Sequence, residues 1–93
     1  MIKAFVDKPT EMIWNGIRSK LLPPDIQEVA RCKLRMVNNA QDVTDLRIPP
    51  TNRLEKLKWN LQAYYSIRIN NQWRLVIQWI GIDIYDVKIV DCQ

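Results

Sequence analysis

Histidine is absent from this 93-residue chain, and glycine occurs only twice, as Gly16 and Gly81. Without imidazole there is no Ser-His-Asp or Cys-His pair, no histidine metal site and no ordinary general base near neutral pH. Two isolated glycines exclude a Gly-rich phosphate loop. The two cysteines, Cys32 and Cys92, show no CxxC or zinc spacing, so free thiols in a reducing cytoplasm are expected, with a disulfide the less favoured alternative. No metal or cofactor is expected. The opening "MIKAFVDKPTEM" has no long apolar run after its lysine, which argues against a signal peptide. No stretch approaches the roughly 18 apolar residues of a membrane span. An enzyme built from these residues works with carboxylates, arginines, lysines and tyrosines.

What is present suits one small globular domain over residues 1–93. Hydrophobic residues make up 47% and charged residues 26%, an ordinary balance for a packed core. Four tryptophans supply large apolar area if they face inward. The net charge of +4 leans toward an anionic partner without specifying it.

"MIKAFV" reads as a short first strand. Asp7 and "KPTE" give a helix start, with Pro in the first turn and Glu11 near the positive end. Ile13, Ile17 and Leu21 recur at helical spacing with Trp14 beside them, until Pro23-Pro24 stops the helix and Asp25 opens the next. Ile26, Ala30, Leu34 and Val37 mark the buried stripe of this second helix. Arg31, Lys33 and Arg35 lie on other faces and read as a solvated surface. One helical turn is expected from Asp42 to Leu46, and Pro49-Pro50 is expected to hold the chain extended. From Leu54 the pattern is strand-like. The last hairpin turns around Gly81, with Tyr85, Val87 and Ile89 inward. The expected fold is α+β: a small twisted antiparallel sheet with two N-terminal helices packed on one face.

The stretch "SIRINNQWRLVIQW" places two arginines in opposition. Ile67 and Ile69 share one face of their strand, and Trp73, Leu75, Ile77 and Trp79 share one face of the next. Directly paired residues of a hairpin lie on the same face. Keeping both apolar sets in the core pairs Ile69 with Trp73 across residues 70–72, and that register sets Arg68 opposite Arg74. A two-residue turn would split the core face. Two readings follow. The side chains splay into water, where repulsion is screened, or an anion sits between them, since a guanidinium binds phosphate through paired bonds. If residues 81–83 form the last turn, Arg74 faces Val90, and Asp91 arrives beside both arginines.

"PPTNRLEKLK", "YYSIRINNQWRLVIQW" and "IYDVKIVDCQ", in this order and spacing, closely resemble HigB-like toxins of the RelE superfamily. "PPDIQEVARCKLRMVNNAQDVTDLRIPP" fits the middle of the same family, and the likeness covers essentially the whole chain. The resemblance implies the toxin of a bacterial type II toxin–antitoxin system: an endoribonuclease that cleaves mRNA on translating ribosomes. It implies a HigA-like helix-turn-helix antitoxin as partner and operator DNA contacted only through the toxin–antitoxin complex. The implied fold agrees with the α+β pattern read from the residues.

Metal-independent RNA cleavage needs a base for the 2′-hydroxyl, positive charge for the developing phosphorane and an acid for the leaving oxygen. Arg68 and Arg74 suit the second role. They are poor acids, because arginine stays protonated. Lys58 matches a family lysine near the site, where it adds charge or donates a proton; its alternative role is a solvated lysine. Arg53 is a candidate phosphate contact, or else the ion-pair partner of Glu55. Glu55 and Asp91 are the candidate bases. The chain departs from relatives that end in Asp-Tyr-His, since it has Asp91-Cys92-Gln93. Gln93 can hydrogen-bond a phosphate or ribose but cannot exchange a proton, and Cys92 substitutes weakly. Where relatives tend to show Lys-Gly-Asp, this chain has Lys58-Trp59-Asn60. Trp59 either stacks on a base or packs. Activity below that of relatives with the full ending is expected, the alternative being an inert homologue that only binds.

Overall fold

The computed structural model describes residues 1–57 and 63–91. Helices α1 (Lys8–Trp14) and α2 (Pro24–Asn39) are followed by short 3-10 helices at Val43–Arg47 and Pro50–Asn52. Strands β1 (Glu55–Lys56), β2 (Tyr64–Arg68), β3 (Trp73–Ile80) and β4 (Asp83–Asp91) form an antiparallel sheet in chain order. This is the expected α+β arrangement.

Local chemistry sets the helix limits. The Asp7 carboxylate caps α1 by accepting from Thr10 N at 3.0 Å, satisfying one of the unpaired donors of the first turn. The helix stops at Trp14, about two turns earlier than the apolar spacing suggests. Gly16 has φ of 79°, and the N–H groups of Gly16 and Ile17 bond back to the carbonyls of Ile13 and Met12 at 3.0 and 2.8 Å. This is a Schellman ending, which needs a left-handed residue that glycine adopts without strain. Ile17 and Leu21 therefore leave the stripe and are exposed. In α2, Ile26, Ala30, Leu34 and Val37 are all buried, as their spacing indicates.

The core lies between the helices and one face of the sheet. Ile67, Ile69, Leu75, Ile77, Trp79, Ile84, Val87 and Ile89 meet Ile13 and the α2 stripe there. The expected turn from Asp42 to Leu46 appears as the 3-10 helix Val43–Arg47, capped by Asp42 and Asp45, with Leu46 fully buried. Pro49 is extended, but Pro50 opens the second 3-10 helix, because its fixed φ suits a first helical position as well as an extended one.

Two expectations for the sheet need correction. "MIKAFV" is not a continuous strand but two isolated parallel bridges to β4, Ile2 with Ile84 and Phe5 with Val87. The last hairpin pairs Ile80 with Asp83, so its turn holds two residues and not three. A bulge between Val76 and Gln78 restores the shift, and Arg74 still faces Val90. The extra residue is Asp86, at φ of 52°, where the strand bends. Ile84 consequently replaces Tyr85 in the inward series with Val87 and Ile89. The same bulge lies between the two N-terminal bridges and interrupts them.

Candidate functional site

Asn70 sets the hairpin that brings the arginines together. Its side-chain oxygen accepts from Gln72 N and Trp73 N, each at 2.8 Å. This local Asx turn closes the loop over residues 70–72. Ile69 N donates to Trp73 O at 2.9 Å, and Arg68 is the direct partner of Arg74. The register read from the apolar pattern is the one observed.

Neither arginine splays freely. Arg74 Nε donates to Ser66 Oγ at 2.9 Å, while Nη2 donates to Arg53 O at 2.7 Å and Ser66 O at 3.3 Å. The Arg74 side chain is only 14% exposed, and Nη2 lies 3.8 Å from the Glu55 carboxylate, which is 61% exposed. Nη1 takes no part in these bonds. Arg68 Nη2 donates to the Asn71 side-chain oxygen. The result is two guanidinium groups side by side on the sheet face away from the helices, each tethered from one edge.

The Arg53 carbonyl is positioned by the preceding turn. Asn52 is fully buried; its amide donates to Leu46 O at 3.1 Å, and its oxygen accepts from Lys33 Nζ at 2.5 Å. Lys33 thus leaves the expected solvated face of α2, on which Arg31 and Arg35 remain exposed. Arg53 then turns left-handed, with φ 47° and ψ 56°, and supplies its backbone to Arg74. Its side chain is exposed. Glu55 forms its ion pair with Arg74, not with Arg53.

Asp91 follows Val90, the direct partner of Arg74. It pairs with Trp73, so it shares the face of Trp73 rather than that of Arg74. Its carboxylate accepts from Gln72 Nε2 at 3.0 Å. Lys58, Trp59 and Gln93, with Cys92, lie outside the described residues. Among the described residues, no group of three or more His, Cys, Asp or Glu is arranged to hold a metal ion.

Sequence reading missed two parts of this face. Ser66 is two residues before Arg68 on the same side of β2, a diagonal neighbour of Arg74, and that parity was a usable signal. The Tyr64 hydroxyl donates to Asp86 at 2.6 Å; this pair depends on the bulge and had no signal in the pattern. The bond to Asp86 foremost, then burial and the nearby negative charge, raises the Tyr64 phenol above its usual value and keeps it neutral.

The chain belongs to the HigB-like toxin family: the family model described as RelE-like toxin of type II toxin–antitoxin system HigB matches residues 3–92. Membership in a type II system implies an antitoxin partner. Toxin HigB-1 of Vibrio cholerae serotype O1 is 42% identical over 81 residues, covering 86% of this chain and 85% of that protein. Endoribonuclease HigB of Proteus vulgaris is 26% identical over 92 residues, 98% of each chain. The solved YoeB dimer from Staphylococcus aureus matches with a TM-score of 0.58 and 25% identity, over 99% of this chain and 92% of that one. No helix among the described residues is long and apolar enough to cross a membrane.

Proposed function

We propose that this chain is a cytoplasmic, ribosome-dependent mRNA endoribonuclease, held in check by a HigA-like helix-turn-helix antitoxin through which alone it meets operator DNA. The observation that carries the reading is the Arg68–Arg74 pair, two fixed cations on one sheet face, one of them pre-set by Ser66 and the Arg53 carbonyl. The name of the Proteus vulgaris relative, an endoribonuclease, supports the same chemistry.

In the proposed reaction the mRNA 2′-oxygen attacks the adjacent phosphorus. The O2′–P bond forms as the P–O5′ bond breaks, leaving a 2′,3′-cyclic phosphate and a 5′-hydroxyl. Arg68 and Arg74 bind the phosphate oxygens, and their tethers limit reorganisation as charge builds in the transition state. Glu55, beside Arg74 and exposed, is the carboxylate available to accept the 2′-proton, and the leaving oxygen takes a proton from Lys58 or water. Asp91, turned to the other face, acts through Gln72 at the hairpin that carries Arg68 and Arg74. With Cys92-Gln93 in place of a proton-exchanging ending, the rate falls below that of relatives ending in Asp-Tyr-His.

Primer extension on mRNA from translating ribosomes tests this directly. The native chain is expected to cleave, Arg74→Ala to lose about 10²–10³-fold in rate, and Gln93→His to gain. Cleavage only after Gln93→His would make the native chain a binding-only homologue. Equal cleavage by Arg74→Ala would remove the arginine pair from the mechanism.

A further inference from the structure

On the opposite face of β1 from the arginines lies a groove of about 310 Å³, lined by Val43, Thr44, Arg47, Leu54, Lys56 and Tyr65. This volume is at the small end of ligand-binding clefts. Its lining combines two cations, a phenol and a hydroxyl with the apolar flanks of Val43 and Leu54, and among the described residues it includes no carboxylate. That set suits a flat, partly apolar group carried on an anionic backbone.

Its position links it to the arginine pair. In β1, Glu55 pairs with Ser66 on the arginine side, and Lys56 pairs with Tyr65 on the groove side. Arg53 gives its carbonyl to Arg74, while the next residue, Leu54, lines the groove. β1 is the edge strand and only two residues long. A strand of RNA leaving Arg74 crosses two strand spacings, about 10 Å, past the exposed Arg53 side chain before it rounds this edge.

We propose that the groove is a nucleotide subsite: it takes one base of an RNA strand, flanking the phosphate held by Arg68 and Arg74. Tyr65 provides the stacking wall, Val43 and Leu54 the apolar sides, and Arg47 and Lys56 hold the adjoining phosphates. This inference rests on the RNA-cleaving reading above. A peptide segment of the antitoxin is the competing occupant. Two cations with no acid among the described lining residues, in a space large enough for one base, favour the nucleotide.

The test uses a fluorescent hexaribonucleotide, 2′-O-methylated to block cleavage, in a series carrying one abasic residue at each position. Anisotropy is read for the native chain, Tyr65→Leu and Lys56→Ala. For the native chain, one abasic position is expected to weaken binding about tenfold. Tyr65→Leu binds the intact oligonucleotide about tenfold more weakly and no longer senses that position. Lys56→Ala, an exposed change that leaves the fold intact, weakens every oligonucleotide alike and flattens the salt dependence. A native chain that does not bind at low salt, or folded variants that bind as it does, overturns the subsite. If Tyr65→Leu does not fold, Lys56→Ala decides. Loss of antitoxin binding with RNA binding unchanged overturns it in favour of a peptide site. Cleavage on the ribosome is read separately, so the subsite can fail while the nuclease reading stands.

Discussion

Arg74 is fixed by a serine and a backbone carbonyl, with its carboxylate neighbour 3.8 Å away and largely in solvent. At that length, with the carboxylate end largely in water, the ion pair is weak, and the geometry of the cation is settled by neutral partners. Tyr64 shows the opposite arrangement, a neutral donor committed to a carboxylate. Its folded-state pKa lies above the ordinary 10.0, so its stabilisation is fully present below about pH 10 and is lost as pH rises through the folded value. Tyr64→Phe is expected to cost about 1.5–3 kcal/mol at neutral pH and to make the alkaline loss of stability shallower, as read by urea unfolding across pH. The arginine pair was legible because strand parity fixes it. The Arg53 carbonyl was not, since a left-handed turn at a non-glycine residue leaves no compositional mark.

At the scale of elements, the α2 stripe and the β2–β3 register followed from periodicity, which reports directly on which face is buried. The β3–β4 pairing was legible only in part. A short turn and a compensating bulge cancel near the site, so Arg74 faces Val90 as expected although the turn is one residue shorter. Asp91 follows Val90 as expected, but parity alone says which side of the strand it takes: its pairing with Trp73 sets it on the opposite face from Arg74. The link between α1 and β4 was also invisible to pattern. Thr10 is fully buried, and its hydroxyl accepts from Ile89 N at 3.1 Å. Thr10→Val keeps the shape but strands that donor. The expected loss is about 1–3 kcal/mol in chemical denaturation, with β4 amides near Ile89 exchanging faster.

Across the whole molecule, β4 is last in the sheet yet its outer edge is covered. The N–H groups of Ile84 and Val87 bond to the carbonyls of Met1 and Ala4 at 3.0 and 3.2 Å, and Thr10 takes the next donor. Covering an edge in this way blocks pairing with other chains. Deleting residues 1–6 is expected to lower the melting temperature and to produce dimers or larger species on size-exclusion chromatography. The same cover has a consequence in time. During synthesis residues 1–10 emerge about eighty residues ahead of the strand they lie against. Loops of that span close slowly. Until then the hairpin bearing Arg68 and Arg74 has an open flank, so the arginine pair gains its finished surroundings only once β4 has left the ribosome.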